Sequence, residues 1–260
     1  MPTNLKVLAV IPARWASTRF PGKPLADILG KPMVQWVLEQ AHKSSLVSEV
    51  VVATDDHRIC DVVQNIGEKV IMTSPDHKSG TDRVAEVVKN FQCNIIVNIQ
   101  GDEPLISPEN IDLVIKPLLG SPDFSVSTLM IAIKKWDEMF DPNTCKVVVD
   151  GNGRALYFTR SPVPYNRNSW PEGVHMIKDA GASSCVLGYK HIGMYAYTKS
   201  FLLQFPKLKA SRLEDLEKLE QLRILDNGYA IQVIETNQSS ISVDRPEDLG
   251  MVKQIINKNS

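Results

Sequence analysis

The first half of the chain alternates short apolar runs with stretches in which apolar residues recur every three or four positions. Lys6–Ile11 (KVLAVI) is nearly all apolar and ends at Pro12, as is typical of a strand buried on both faces of a parallel sheet. A helical stripe follows, made of Met33, Val34, Val37, Leu38 and Ala41. Further strands are predicted at Val50–Ala53, Lys69–Thr73, Ile95–Ile99 and Phe124–Ile133, and further helices over Asp56–Asn65, from Thr81 to Phe91 and from Ser107-Pro108 onwards.

This alternation predicts an α/β fold, with a wound and mostly parallel sheet that carries helices on both faces. Binding sites in such sheets lie at the carboxyl ends of the strands. Four segments of this chain stand at predicted strand ends: Pro12–Lys23, Thr54–Asp56, Ser74–Thr81 and Gln100–Pro104.

The pattern changes after residue 133. Two short runs around G-N-G predict a hairpin, and the segment Arg160–Gly188 is rich in Pro, Asn, Ser and Gly, which predicts a long loop. Later elements are predicted as strands over His191–Thr198 and Ala230–Thr236, one helix over Leu213–Asp226 and a last helix opened by Asp244-Arg245-Pro246-Glu247.

Composition narrows the functional classes. The chain has 260 residues with 43% hydrophobic content, enough for one large α/β domain or a core with a smaller subdomain. A net charge of −1 argues against broad nucleic-acid binding, and no apolar stretch is long enough to suggest membrane insertion. The four cysteines form no C-x-x-C pair, which indicates free thiols in a cytoplasmic protein rather than a zinc site.

Positive charge is concentrated in the loop after the first predicted strand, at Arg14, Arg19 and Lys23. Arginine binds phosphate oxygens bidentately and lysine acts as a point charge, so this loop suits a small anion. It is not a Walker A loop, because its G-K is followed by proline, and no G-x-G-x-x-G follows the strand. A solvated basic loop would carry the same residues, but the position at a strand end favours a site.

Acidic residues follow the strand in Val97–Ile106 (VNIQGDEPLI), where Gly101 is expected to allow a tight turn. Asp102 and Glu103 are expected to project from the sheet edge. Magnesium prefers one or two carboxylates together with phosphate oxygens, so such a pair suits a metal-bound nucleotide. Asp244 is a candidate further ligand, although an ordinary acid at a helix start would show the same pattern.

Three motifs occur in order along the chain: P-A-R-x-x-S-x-R-x-P-G-K-P-L from Pro12, N-x-Q-G-D-E-P from Asn98 and V-D-x-P-E-D-L from Val243. Together they resemble the 3-deoxy-manno-octulosonate cytidylyltransferase family, the CMP-Kdo synthetases of lipopolysaccharide assembly. HKSGTDRVAEV, ALYFTRSPVP and LEKLEQLRIL extend the resemblance over nearly the whole chain. Asp82 stands where the family more often has Glu, and residues 165–190 match poorly.

The resemblance implies an α/β fold of nucleotidyltransferase (Rossmann-like) type with a smaller α+β subdomain. It implies one nucleotidyltransferase domain, with a nucleotide-binding core over about 1–133 plus 230–260 and a sugar-binding and dimerisation subdomain over about 134–229. It further implies transfer of CMP from CTP to 3-deoxy-D-manno-octulosonate (Kdo), release of pyrophosphate, a Mg²⁺ requirement, a homodimer and a cytoplasmic location.

The resemblance also implies a role for individual residues. Arg14, Lys23 and Asp102 are the implied catalytic residues. The implied nucleotide-binding residues are Arg14, Arg19, Lys23, Ser79, Gly80, Thr81 and Asp102; the implied magnesium ligands are Asp102 and Asp244; and the implied sugar-binding residues are Gln100, Arg160, His191, Glu220 and Gln221.

Several of these residues also have an ordinary structural interpretation. Arg160 stands at the end of the predicted hairpin, where a surface arginine is common. Glu220 lies within an apolar stripe of the predicted helix, so it is either a surface acid at the edge of that stripe or a carboxylate held in a pocket. His191 begins an apolar strand and is either a core histidine or a ligand contact.

Two other functions compete with transfer to Kdo. Another acid-sugar cytidylyltransferase, such as a CMP-sialic acid synthetase, carries similar cations after its first strand. A catalytically silent nucleotide-binding module would bind CTP without turnover, but the joint presence of Arg14, Lys23, Asp102 and Asp244 argues against it.

Overall fold

The chain divides into two units, and the computed structural model describes residues 5–17, 19–77, 79–120, 123–167, 170 and 185–259. The first unit comprises Met1–Gly120, Met194–Pro206 and Ser240–Ser260. The second comprises Ser121–Gly193 and Lys207–Ser239. Most of the segment 165–190, whose match to the family is poor, lies outside the described residues.

The strands agree with the predicted ones to within a few residues. In chain order they are β1 (Val7–Ala13), β2 (Asp27–Ile28), β3 (Lys31–Pro32), β4 (Glu49–Thr54), β5 (Val70–Met72), β6 (Ile95–Asn98), β7 (Val126–Ile133), β8 (Lys146–Val149), β9 (Ala155–Thr159), β10 (Gly188–Thr198) and β11 (Ile231–Glu235). The short β2–β3 pair was not predicted.

In chain order the helices are α1 (Met33–Ala41), α2 (His57–Asn65), α3 (Gly80–Val87), α4 (Pro108–Gly120), α5 (Trp136–Phe140), α6 (Lys199–Gln204), α7 (Arg212–Glu217), α8 (Gln221–Asp226) and α9 (Asp248–Asn259). From β4 to β7 each strand is followed by one helix, whereas α6, α7 and α8 follow one another without a strand between them. No helix among the described residues combines the length and the apolarity needed to cross a bilayer.

In the first unit, β1 is the central strand and lies between β6 and β4, both parallel to it. Strand β5 extends the sheet beyond β4, and the last residues of β10 pair with β6 in the antiparallel sense. Val7–Ile11 are at most 2% exposed, as the apolar pattern predicts for a strand with neighbours on both sides. The ends of β1 and β6 therefore lie side by side.

The last helix of the first unit fixes the segment that contains Asp244. Val252 and Ile256 of α9 form one buried cluster with Ile28, Met33 and Val243. The helix begins at Asp248 rather than at Asp244, because the Asp248 carboxylate accepts hydrogen bonds from the backbone N–H groups of Asp244 and Arg245 (2.9 and 2.8 Å). Asp244 thus lies in an ordered turn beside a fully buried valine.

In the second unit, β7 pairs in parallel with β11, and β8 and β9 form the predicted antiparallel hairpin. The first residues of β10 pair with β8. The prediction of one helix over Leu213–Asp226 is wrong: Lys218 adopts a left-handed conformation (φ 53°) and separates α7 from α8. Lysine rarely adopts this conformation, so composition gave no sign of the break.

The architecture confirms the predicted fold class, an α/β fold with mostly parallel strands. The antiparallel pairs are those made by β10, the β8–β9 hairpin and the small β2–β3 pair.

Candidate active site

A lysine in the first unit joins two of the predicted acidic residues. The Lys23 ammonium donates to Asp102 Oδ2 (2.5 Å) and to the carbonyl of Val243 (3.1 Å), and it lies 3.7 Å from Asp244 Oδ1. The Lys23 side chain is 15% exposed and the Asp102 side chain is 25% exposed. One cation thus brings together residues that are far apart in sequence.

Close packing of the two strand ends produces this arrangement. A Cβ atom at Gly101 would lie 2.7 Å from the carbonyl oxygen of Pro12, so only glycine fits between β6 and β1 at this point. Gly101 lies in the expected tight turn, which the Glu103 N–H closes by donating to the carbonyl of Gln100 (3.2 Å), and the close approach of β1 is a further reason for glycine. The N–H of Val243 then donates to the carbonyl of Asp102 (2.8 Å), which places Asp244 beside the same strand end.

The other two cations of the loop are more accessible. Arg19 Nη2 lies 3.3 Å from Asp244 Oδ1, and its side chain is 61% exposed. Arg14 directly follows β1 and is half-buried, and within the described part of the chain it makes no ion pair. Both guanidinium groups are therefore available to an incoming anion.

Glu103 does not behave as expected. It is only 8% exposed, so it does not project from the sheet edge beside Asp102. Burial raises the pKa of Glu103 to about 7, and the neighbouring Asp102 charge acts in the same direction. Packing around the Gln100–Ile106 turn, which the sequence does not reveal, separates the roles of the two adjacent acids.

The donor groups near Lys23 fit the implied magnesium ion. Two carboxylates converge on one cation, whose position marks a place where positive charge is stabilised. Within the described ranges, no group of three or more His, Cys, Asp or Glu side chains could hold a metal. Magnesium bound to a nucleotide takes one or two carboxylates and fills its other positions with phosphate oxygens and water, so Asp102 and Asp244 suit it.

The implied cytidine-binding segment begins helix α3. Ser79 is the N-cap, since its hydroxyl accepts the N–H of Asp82 (3.1 Å), so the helix begins one residue before the predicted start at Thr81. Thr81 lies inside the helix and is buried. A Cβ at Gly80 would lie 3.6 Å from Pro12, so the start of α3 packs against the end of β1. Gln100 lies two residues beyond the end of β6 in the same unit and is half-buried.

Helix α3 is anchored by an arginine that sequence reasoning missed. Arg83 is completely buried, and it donates to Asp55 Oδ2 (2.7 Å) and to the hydroxyl of Thr73. Asp55 and Thr73 follow β4 and β5, so one side chain ties α3 to two strand ends. A charged residue on an apolar helical stripe is the signal that marks it.

In the second unit, Arg160 is held by backbone carbonyl groups. Its Nε donates to the carbonyl of Glu217 (2.6 Å) and its Nη1 donates to that of Pro142 (2.9 Å). Among the described residues no carboxylate forms an ion pair with this guanidinium. Arg160 therefore retains a positive charge that is oriented but not paired.

Two residues that were not predicted as site residues support Arg160. Lys146 is completely buried, and its ammonium donates to the carbonyls of Asp141, Thr144 and Arg160 (2.7–2.8 Å). Glu217 accepts the backbone N–H of Arg160 (2.9 Å) and the hydroxyl of Thr159 (2.6 Å).

These surroundings shift the pKa values of both supporting residues. Burial lowers the pKa of Lys146, although nearby acids oppose that effect. Burial alone would raise the pKa of Glu217, but its hydrogen bonds outweigh burial and lower the pKa. Each residue nevertheless has its charge satisfied by several hydrogen bonds.

His191 is held in the second unit as a neutral ring. Its Nε2 lies 2.9 Å from the hydroxyl of Thr128, which donates its proton to the carbonyl of Ile192 (3.1 Å), so Nε2–H is the donor to Thr128. The ring also packs edge-on against Phe158. Burial lowers the pKa of His191 to about 3.

The remaining two implied sugar residues lie at the start of α8. Gln221 is 7% exposed and its amide lies 3.6 Å from the sulfur of Cys145. Glu220 is half-buried and occupies the N-cap position with helical backbone angles. Because the predicted helix is broken at Lys218, Glu220 lies at a helix start and not on the middle of an apolar stripe.

Comparison with known proteins identifies the family. The cytidylyltransferase family model matches residues 8–236. The chain is 51% identical to the 3-deoxy-manno-octulosonate cytidylyltransferase of Trichlorobacter lovleyi, over 96% of this chain and 98% of that protein. It is 52% identical to the protein of the same name from Geotalea uraniireducens, over 98% of this chain and all of that protein.

A solved structure agrees with these relatives. The fold superposes with a TM-score of 0.88 on a CMP:2-keto-3-deoxy-manno-octonic acid synthetase complexed with CTP, at 41% identity, covering 98% of this chain and all of the other. The extent and level of these matches show that the chain belongs to the 3-deoxy-manno-octulosonate cytidylyltransferase family.

Proposed function

We propose that this protein transfers CMP from CTP to Kdo and releases pyrophosphate, for use in lipopolysaccharide biosynthesis. The observation that carries the proposal is the group of Lys23, Asp102 and Asp244 at the adjoining ends of β1 and β6. The names of the close relatives and the CTP bound to the similar solved structure support the choice of substrates.

In this reaction a sugar hydroxyl attacks the α-phosphorus of CTP. A new phosphorus–oxygen bond forms, the bond from the α-phosphorus to the bridging oxygen of the β-phosphate breaks, and the hydroxyl loses its proton. The protein has little covalent chemistry to perform, so catalysis depends on positioning and on stabilising the phosphate charge.

Three cations of the first unit supply that stabilisation. Lys23 is held by carboxylates close to solvent, so a phosphate oxygen can replace one of its acceptors. Arg14 is half-buried without a described ion pair, and the pair that Arg19 makes with Asp244 is exposed to solvent, so both guanidinium groups can bind phosphate bidentately. We assign Arg14, Lys23 and Asp102 to catalysis and Arg19 to nucleotide binding.

Asp102 and Asp244 would hold Mg²⁺, which neutralises phosphate charge when it is bound. When no metal is bound, the same two carboxylates keep the Lys23 ammonium oriented. Glu103 takes no part as a charged ligand, because its carboxyl is buried.

The start of α3 would bind the cytidine. Ser79 presents a hydroxyl at the N-cap, Gly80 packs beside Pro12 at the end of β1, and Thr81 anchors the segment in the core. Arg83 holds this helix against β4 and β5, so the segment is already ordered before the nucleotide arrives.

The second unit would bind the acid sugar. The oriented Arg160 guanidinium suits the Kdo carboxylate, since a guanidinium matches a carboxylate bidentately. We assign Glu220, Gln221 and His191 to the sugar as hydrogen-bonding residues of the second unit. Gln100 stays a predicted sugar-binding residue. A polyhydroxylated ligand needs many such hydrogen-bonding groups.

Pyrophosphate release from CTP with Kdo and Mg²⁺ tests the proposal. We expect turnover with Kdo and much less with N-acetylneuraminate, and CMP-Kdo should appear by mass spectrometry. Lys23→Met should abolish turnover, whereas Lys31→Met, which removes a lysine that pairs with Glu39 in the same unit, should not. CTP binding without any turnover would instead favour a silent nucleotide-binding module, and a preference for N-acetylneuraminate would favour a sialic acid synthetase.

We also propose a cytoplasmic homodimer. Cytoplasmic CTP is the substrate, and exposed leucines of the second unit offer a surface for a second copy: Leu156 (58%), Leu213 (39%) and Leu216 (68%). Light scattering of the wild type and of Leu216→Asp tests the dimer. A monomeric wild-type protein at micromolar concentration would overturn it.

A further inference from the structure

The loop between β1 and Lys23 is closed by one backbone carbonyl. The carbonyl oxygen of Trp15 accepts the N–H groups of both Ser17 and Gly22, each at 2.9 Å. Gly22 is the residue immediately before Lys23, and it adopts a left-handed conformation (φ 71°). The position of Lys23 is therefore tied to that of Trp15.

The indole ring of Trp15 lies directly against Gly22. A Cβ atom at residue 22 would lie 2.8 Å from one ring carbon and 2.9 Å from another. Glycine is thus required here for two reasons, the left-handed backbone and the contact with the ring. The ring limits how far the backbone that carries Lys23 can move.

The same ring is held by an arginine at the start of α2. The guanidinium carbon of Arg58 lies 3.3 Å from the centroid of the Trp15 ring. Two nitrogens of Arg58 donate to the Asp56 carboxylate (2.9 and 2.6 Å), and Asp56 is the N-cap of α2. The loop after β1 is thereby attached to the start of the helix that follows β4.

We propose that Trp15 and Arg58 are positioning residues that hold the backbone of Gly22 and Lys23 ready for the nucleotide phosphates. This inference rests on the function proposed above. A loop that is already ordered loses less conformational entropy on binding, so the pair acts on nucleotide affinity rather than on the sugar. Neither side chain needs to touch the substrate for this role.

The test compares four variants in steady-state kinetics and in CTP titration. Trp15→Ala should raise the KM for CTP about tenfold, while kcat and the KM for Kdo change less than about twofold. Trp15→Phe should recover most of the loss, because it keeps an aromatic ring against Gly22. Arg58→Gln should raise the KM for CTP about threefold. Lys31→Gln is the matched control, since Lys31 lies over the ring of another tryptophan of the same unit, Trp36 (4.8 Å), and it should leave the KM for CTP unchanged.

Three results would overturn the proposal: an unchanged KM for CTP in Trp15→Ala, equal increases in the KM values for CTP and Kdo, or Trp15→Phe as defective as Trp15→Ala. If Trp15→Ala does not fold, Arg58→Gln decides, because that side chain is more than half exposed. If the wild type fails to use Kdo, the proposed function fails, and CTP titration of the same variants still tests the positioning role.

Discussion

Two lysines of this protein are held in opposite ways. Lys23 in the first unit contacts two carboxylate side chains and one carbonyl close to solvent, whereas Lys146 in the second unit is completely buried and contacts three backbone carbonyls. Carboxylates carry charge and can bind a metal or give way to phosphate. Backbone carbonyls cannot leave, so Lys146 fixes the main chain of Arg160.

The difference shows which cations are poised to act on ligands and which maintain the structure. A cation with exchangeable, charged partners can accept a new anion at little cost in desolvation, because it is partly hydrated. A buried cation with neutral partners is part of the scaffold. Substitutions at the two lysines and their partners therefore test the distinction from both sides.

After the loss of turnover expected for Lys23→Met, the largest effect should come from Asp102→Asn. This change removes the carboxylate nearest Lys23 and one of the two proposed magnesium ligands, so kcat should fall by about 10²–10³-fold, or roughly 3–4 kcal/mol. The thermal midpoint should stay close to that of the wild type, since Asp102 is partly exposed. Steady-state kinetics and circular dichroism measure the two quantities.

Asp61→Asn is the matched control for that change, because Asp61 is an exposed acid on α2 without a described ion pair. Its kcat should equal that of the wild type. If Asp102→Asn kept its full activity, the assignment of the metal and phosphate groups to this strand end would be wrong.

Lys146→Met should chiefly change stability. The substitution leaves three buried carbonyls without their shared donor, which should lower the free energy of unfolding by about 3 kcal/mol. Urea denaturation measures it. Lys190→Met removes a half-exposed lysine that pairs with Glu138 in the same unit, and it should cost less than about 1 kcal/mol. Equal losses in the two variants would contradict a special role for Lys146.

Arg160→Ala should act on the sugar and not on the nucleotide. Its guanidinium is held by two carbonyls and pairs with no described carboxylate, so we expect the KM for Kdo to rise about thirtyfold, or roughly 2 kcal/mol, while the KM for CTP stays unchanged. Arg160→Lys, which keeps the charge but not the paired geometry, should give an intermediate value. A rise in the KM for CTP alone would mean that Arg160 acts on the nucleotide and that its assignment to the sugar is wrong.

The contrast between the lysines also shows what the sequence could reveal. Lys23, Asp102 and Asp244 were predicted because each belongs to a motif, and the strand-end rule brings the first two to one edge. The structural role of Lys146 was not predicted, because its partners are backbone carbonyls, which no residue pattern indicates. The burial of Glu103 likewise depends on tertiary packing, which separates it from its neighbour Asp102.

The smallest predicted effect concerns His191 and tests whether its buried ring is neutral in the folded protein. Burial lowers its pKa to about 3, below the usual value of 6.5, so the unfolded chain binds a proton that the folded chain rejects. The stabilisation from the neutral ring is complete above pH 6.5 and decreases as the pH falls towards 3. The ring keeps some exposure to solvent, which reduces the effect of burial, so we expect a loss of about 1 kcal/mol between pH 6.5 and 5. His191→Gln should lose correspondingly less over that interval in urea titrations at each pH. Parallel pH profiles for the variant and the wild type would mean that the ring is already protonated or exposed in the folded protein.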